Sequence, residues 1–513
     1  MKKDLVLILD FGSQYSHLLM RRIREKNVYA KIVQPEIKPE EIAESGEYSV
    51  KGIILTGGPS SIYTKGAPRC DKKILELGIP ILGICYGHQL IAYYSGGKVK
   101  RAKRMEYGVT EAVVEKRVGI LKNHGKIEKV WMSHGDTVLR LPTDFEILAR
   151  TKNCPIAAFR HRRKHIYGVQ WHPEVIHTLR GRRLLRNFVF DICRCRPTWT
   201  PESFVSRSVK EIRDEVGDGR CIIALSGGVD SSTAAVLAAK AIGKKLTAVF
   251  VDHGFMRKGE PDEIKKTFSK FNLNFICLDE RRRFIGKLRG VTDPERKRKI
   301  IGEEFIRTFE KTAAKIKADY LIQGTIYPDR IESGIRAHSE KIKTHHNVGG
   351  LPLKIKFKKV VEPLRDLYKD EVRKVARTIG VPRKIVERQP FPGPGLAIRI
   401  VGEVTEKKLE ILKRADEIVR KELEGWSGGK KLWQYFAALL STKSTGVKGD
   451  SRAYGYTIVI RAVESTDGMT ASYAKLPHAL LERISTKLTN EIPEVNRVVY
   501  DITHKPPATI EWE

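Results

Sequence analysis

The sequence predicts an α/β protein with an N-terminal open α/β domain, a second doubly wound α/β domain and a small C-terminal α+β domain. Three observations carry this expectation. Up to residue 196, short apolar runs of strand type (5–9, 52–55 and 79–84) alternate with helical patterns at 16–25 and 70–77. Residues 221–243, CIIALSGGVDSSTAAVLAAKAIG, read as strand, glycine turn and helix, with Gly243 in the place of a C-cap. Beyond residue 390, helical stretches (405–424 and 432–440) mix with β-type runs (456–462 and 498–502).

The 513 residues allow about three domains of ~150 residues each. No run approaches the ~18 apolar residues of a membrane span. The opening MKKDLVLILDFG has two lysines and only five apolar residues before Asp10, so it reads as a first strand rather than a signal peptide. A cytoplasmic location is expected. Seven cysteines are scattered and odd in number, and Cys193-x-Cys195 alone makes no zinc site, so reduced thiols are expected. Lys and Arg total 95 against 61 acidic residues, a net charge of +34. The basic clusters at 160–165, 180–186, 281–283 and 296–299 are dispersed and lack interleaved aromatics. That favours a solvated basic surface, attractive to anionic small molecules, over a nucleic-acid interface.

Gly83-Ile-Cys85-Tyr-Gly87-His-Gln89 follows an apolar strand and precedes an apolar helix at 90–94. G-x-C-x-G in that setting is a nucleophile elbow with sulfur in place of oxygen. Exposing the sulfur at a helix N-terminus favours the thiolate. A nucleophilic thiol needs a base, and the base an orienting group. Gly168-Val-Gln-Trp-His172-Pro-Glu174 offers both after a strand. Together with Leu55-Thr-Gly57-Gly58-Pro59, these motifs resemble the class I, or triad, glutamine amidotransferases. The resemblance implies that Cys85 is the nucleophile, His172 the base and Glu174 its orienting carboxylate. It implies an oxyanion hole from backbone N–H groups near Gly58 and Tyr86. Gln89 and Ser133-His134-Gly135-Asp136 match segments that contact glutamine in that family. His17, His88, His124 and His177 read as structural.

Pro197-Thr-Trp-Thr-Pro201 marks a linker, with a helix expected at 202–215. The turn that follows, Ser226-Gly227-Gly228-Val229-Asp230-Ser231-Ser232, lacks the spacing and the lysine of a Walker A loop. Its glycines and hydroxyls at a helix N-terminus suit an anion. SGGVDSS resembles the PP-loop of ATP pyrophosphatases, which implies a grip on the β,γ-pyrophosphate of ATP. A strand at 246–251 is expected to run along the nucleotide. The 342–350 stretch suggests a lid. His345-His346 lacks a second ligand cluster and is not assigned to metal. Residues 362–369 read as a turn into a further helix.

Pro390-Phe-Pro-Gly-Pro-Gly-Leu396 is a rigid turn at an expected domain boundary. The tail KPPATIEWE reads as tied down. Its Ile and Trp512 are residues of buried type. The order of amidotransferase motifs, SGGVDSS, QGTIYPDxIES, HHNVGGLP, PFPGPGLAIR and KPPATIEWE resembles the glutamine-hydrolysing GMP synthase family over essentially the whole chain. The last two motifs separate that family from PP-loop amidotransferases that make NAD or asparagine. The resemblance implies an amidotransferase domain at 1–196, a PP-loop synthetase domain at 197–389 and a dimerisation domain at 390–513, hence a homodimer. It also implies XMP contacts from Arg298, Lys505 and Glu511. The expected substrates are ATP, XMP and glutamine, with Mg²⁺ on the phosphates and no protein metal ligand assigned. Gln389 stands where many relatives of this kind have His.

Overall fold

The structure is a computed structural model that describes residues 2–44, 46–329, 357–465 and 468–513. The lid expected at 342–350, His345-His346 and the end of the 323–333 motif lie outside the described residues. The chain divides into two compact units, 1–203 and 204–513. No helix among the described residues is long and apolar enough to cross a membrane.

The first unit is built on one mixed sheet. Its strands are β1 (Lys3–Leu9), β2 (Tyr29–Val33), β3 (Tyr48–Leu55), β4 (Ile81–Ile84), β5 (Lys98–Val114), β6 (Ile127–Arg140), β7 (Phe145–Arg150), β8 (Ala158–His161) and β9 (Ile166–Val169), in the order β2-β1-β3-β4-β9-β8-β7-β5-β6. From β2 to β9 the neighbours are parallel, and from β9 onward antiparallel. The parallel strands read as unbroken apolar runs because helices cover their faces. One of these is α1 (Ser16–Arg24), close to the expected 16–25. The helix expected at 70–77 is only a short 3₁₀ turn, Lys72–Glu76, started by the Asp71 side chain accepting the Lys73 N–H. Registers Leu55↔Gly83 and Gly83↔Gly168 bring the ends of β3, β4 and β9 level.

The helix after the linker prolines runs Pro201–Val216. In the second unit, β10 (Cys221–Leu225), β11 (Leu246–Asp252), β12 (Asn274–Asp279), β13 (Tyr320–Ile322) and β14 (Lys359–Val361) form a parallel sheet ordered β12-β11-β10-β13-β14. The strand order reverses at β10, so the turn after β10 occupies the switch point where such sheets bind ligands. That turn opens α2 (Val229–Ile242), which ends at Gly243 as expected. Further on come α3 (Pro294–Ile316) and α4 (Lys369–Thr378), the latter where a helix was expected after residue 362.

A second five-stranded sheet follows: β15 (Ile400–Val401), β16 (Gln434–Lys448), β17 (Ser451–Glu464), β18 (Ser472–Tyr473) and β19 (Val495–Tyr500). Its helices are α5 (Glu406–Glu424) and α6 (His478–Glu491). The helix expected at 432–440 is strand β16. Tyr435, Ala437 and Leu439 enter the main core with Leu412, Val419 and Ile484, while Phe436 and Ala438 pack with Ile510 and Trp512 of the tail. With both faces covered, the polar alternation that marks a strand is missing, and an Ala/Leu-rich run imitates a helix. The main core is continuous, since Ile222 and Val249 of the first sheet belong to the same cluster as these residues.

Buried cations bind the tail. Arg461, with no exposed surface, donates to the carbonyls of Thr503 (2.6 Å) and Thr509 (3.2 Å) and lies 3.2 Å from the Asp501 carboxylate. Arg399, also fully buried, donates twice to Glu511 at 2.9 Å. Replacing Arg461 by Met strips those carbonyls of their donor and leaves the Asp501 carboxylate with only the Thr503 N–H, a loss of about 3 kcal/mol. Hydrogen exchange should then show amides 501–511 exchanging at least ~100-fold faster, with β1–β9 unchanged.

Candidate active site

Three strand ends deliver the first site. Cys85 follows β4 at φ 52° and ψ −103°, a left-handed conformation rare for any residue but Gly. Two backbone bonds hold it there. The Cys85 N–H donates to Val169 O at the end of β9 (2.9 Å), and the Gly87 N–H donates to Thr56 O beyond β3 (2.9 Å). Close packing explains the glycines. A Cβ on Gly87 would lie 2.3 Å from Leu55 O, and one on Gly83 would lie 2.5 Å from Gly87 O. The sulfur, in a residue 5% exposed, is 3.4 Å from Ser133 O. The helix that starts at the elbow is Tyr86–Tyr94.

His172 and Glu174 sit just past β9, and His172 Nδ1 lies 2.7 Å from Glu174 Oε1. Both are buried. Burial alone pushes the His172 imidazole down. The Glu174 carboxylate and the hydrogen bond with Cys85 outweigh it, so the ring is held well above its ordinary range and favours the imidazolium. Gly57 lies against both Cys85 and His172. A Cβ there would lie 3.0 Å from His172 Cε1 and 3.4 Å from Cys85 Cβ. The Tyr15 ring meets His172 edge-on at 5.0 Å. Gly58 and Tyr86 line the same cavity, of about 730 Å³. Among the described residues, no protein acceptor takes either N–H.

The other residues expected to contact glutamine lie at or beside this cavity. Gln89 lines the cavity, but its Nε2 donates to Asp136 O (2.8 Å) and Gln170 Oε1 (3.1 Å). The His134 side chain is 2% exposed, so it presents mainly backbone to the cavity. The four histidines read as structural include His88, fully buried and pushed to about 3 by burial and by His134. Sequence reasoning missed Tyr15, Gln170 and Arg101 near or within this cavity. Gln170 lay inside a quoted motif, whereas Tyr15 and Arg101 carry no local signal.

In the second unit, the turn at 226–232 is organised by its own hydroxyls. Ser226 Oγ lies 3.0 Å from Ser231 Oγ and accepts the Gly228 N–H at 3.3 Å. Gly227 has φ 74°, and Arg388 donates to its carbonyl at 2.8 Å. Val229 starts α2, whose first amides have no intrahelical acceptor. Asp230 pairs with Lys369 through one oxygen, and its other oxygen is buried without a partner among the described residues. Ser232 Oγ is likewise buried without a partner.

Of the expected XMP contacts, Arg298 on α3 is tied to the Glu513 backbone carbonyl, and its neighbour Lys297 to the Glu513 carboxylate. Lys505 donates to Gly468 O at 2.8 Å. Glu511 is held by Arg399 and Gln434. Gln389 accepts the Tyr435 N–H at 3.0 Å, fastening the proline-rich turn to β16. Lys297, Arg399 and Arg461 were missed by sequence reasoning. Arg399 sits in an apolar Ala-Ile-Arg-Ile run, and a charge in such company is the available signal.

The elbow on β4, the His–Glu pair after β9 and the hydroxyl-rich turn at a sheet switch point define a glutamine-dependent amidotransferase joined to a nucleotide-using domain. The class I glutamine amidotransferase family matches residues 7–192, the NAD synthase family 203–280 and the GMP synthase C-terminal domain family 421–512. Relatives named GMP synthase (glutamine-hydrolysing) come from Caldicellulosiruptor saccharolyticus and Clostridium tetani. They are 56% and 53% identical, covering 100% of both chains. That of Caldanaerobacter subterraneus is 54% identical over 100% of this chain and 99% of its own. The chain belongs to the glutamine-hydrolysing GMP synthase family.

Glu174→Gln removes the carboxylate that favours the imidazolium, so His172 should lose its proton at lower pH. The alkaline limb of glutamine hydrolysis is therefore expected to move to lower pH, as measured by glutamate release across pH.

Proposed function

We propose that the protein aminates XMP to GMP, using ammonia from glutamine hydrolysis and activation by ATP. The observation that carries this reading is the delivery of Cys85, His172–Glu174 and Gly57–Gly58 from three adjacent parallel strand ends, in a chain whose full-length relatives bear that name. The Cys85 sulfur attacks the glutamine carboxamide carbon. The Gly58 and Tyr86 N–H groups hold the oxyanion, and His172 passes a proton to the departing ammonia. Gln89 and the 133–136 strand orient the substrate. Water, deprotonated by His172, then hydrolyses the γ-glutamyl thioester to glutamate.

In the synthetase reaction, the 2-oxo oxygen of XMP attacks the α-phosphorus of ATP and expels pyrophosphate. Ammonia attacks C2 of the adenylyl-XMP, and AMP leaves. The 226–232 turn, from Ser226 to Ser232, holds the leaving pyrophosphate rather than a phosphoryl group in transfer. Arg298, Lys505 and Glu511 are assigned to XMP, with Arg298 on its phosphate. A Mg²⁺ ion beside this turn is supported by the buried Asp230 oxygen that has no partner among the described residues. Among the described residues no cluster of three or more His, Cys, Asp or Glu side chains could hold a metal, so the phosphates would supply most ligands. The ion would neutralise charge on the pyrophosphate. A cytoplasmic homodimer, with 390–513 as its dimerisation domain beside domains at 1–196 and 197–389, completes the reading.

Cys85→Ala is expected to abolish GMP formation from glutamine and to spare formation from free ammonia. Equal loss of both would overturn the assignment of separate sites. With ATP, Mg²⁺, ammonia and XMP, the products should be GMP, AMP and pyrophosphate. ADP and phosphate would overturn the adenylylation step.

A further inference from the structure

Glu106 on β5 stands directly opposite His134 on β6, where the pairing of the two strands resumes after an irregularity at 101–106. Both residues are 5% exposed. His134 Nε2 lies 3.1 Å from Glu106 Oε2, and its Nδ1 lies 2.8 Å from Asp136 O. A main-chain carbonyl only accepts, so Nδ1 carries a hydrogen. Thr151 Oγ1 accepts the Cys154 N–H (3.0 Å) and donates its hydrogen to Glu106 at 2.8 Å. Burial raises the Glu106 carboxyl, but the hydrogen bonds from His134 and Thr151 outweigh it and hold the group below its usual value. One hydrogen is shared between Nε2 and Glu106 Oε2, while the Nδ1–H is donated to Asp136 O. His88, packed nearby on the elbow helix, is kept neutral by burial and by His134. The Asp136 carbonyl also accepts from Gln89, and Ser133 O faces the Cys85 sulfur.

We propose that Glu106 is a positioning residue for glutamine hydrolysis. It holds the His134 ring through Nε2 so that Nδ1–H clamps Asp136 O, and so sets the 133–136 strand that walls the cavity beside Cys85. This rests on the glutaminase reading above. The wall acts on glutamine, so its loss falls on KM, whereas a mere loss of folded protein lowers kcat at constant KM.

The test compares Glu106→Ala and Glu106→Gln in the full chain, with glutamine and with free ammonia as nitrogen source. Losing a charge-assisted buried hydrogen bond predicts a kcat/KM for glutamine about 10- to 100-fold lower in Glu106→Ala, mainly through KM. Ammonia-dependent synthesis should stay within about twofold. Glu106→Gln can accept from Thr151 and donate its amide N–H to Nε2 of a neutral His134, which keeps Nδ1–H on Asp136. It is expected within about threefold of the unmodified protein. A Glu106→Ala protein with normal glutamine KM, or a Glu106→Gln protein no better than it, overturns the proposal. Should Glu106→Ala fail to fold, Thr151→Val serves, with an expected rise in glutamine KM of about three- to tenfold; an unchanged KM overturns the proposal. If the unmodified protein uses ammonia but not glutamine, the glutaminase reading falls and this inference with it. If it uses glutamine and the variants match it, this inference alone falls.

Discussion

The second unit depends on a charge that has no access to water. Arg399 is fully buried, and an unpaired guanidinium in that position would cost several kcal/mol. Four elements supply partners: Glu511 from the tail, Asp416 from α5 at 3.7 Å, the Phe436 ring of β16 at 3.9 Å and the Phe391 ring of the proline-rich turn at 5.2 Å. Phe391 is shared. Arg257 stands 4.5 Å from its centroid and Arg388 5.6 Å, and Arg388 also grips the Gly227 carbonyl. One aromatic ring and three guanidiniums thus join the 226–232 turn to the tail.

The first unit solves a different problem. Cys85, His172 and the Gly58 and Tyr86 N–H groups come from positions spread between residues 58 and 172. Adjacent parallel strands remove that separation, because level registers put their ends side by side. The antiparallel half of the sheet adds the opposite wall, where Glu106 and His134 face each other. Residues from the parallel half and residues from the antiparallel half line one cavity.

The parts of the fold legible in the sequence were those with local chemistry. The elbow declared itself because glycines at 83 and 87 are demanded by backbone contacts, and SGGVDSS because its turn and helix are contiguous. Strand β16 was misread because burial on both faces erased its period. The 70–77 helix shrank to a 3₁₀ turn. The buried cations were invisible for a related reason. Whether Arg399 or Arg461 faces water is decided by a tail about 40 to 110 residues away, and composition counts both simply as part of a basic surface. Glu106 carries no motif at all, and only its pairing across β5 and β6 gives it meaning.

The elbow separates two kinds of selection. At Gly83 and Gly87 the backbone leaves no room for a Cβ, so the fold itself fixes those residues. At Cys85 the side chain points into a cavity, and only the chemistry requires sulfur. A descendant could lose the thiol, keep both glycines and remain an intact, silent copy of this unit. Within a lineage, fold and catalysis can therefore decay on separate clocks. A preserved glycine pair certifies the architecture and says nothing about turnover.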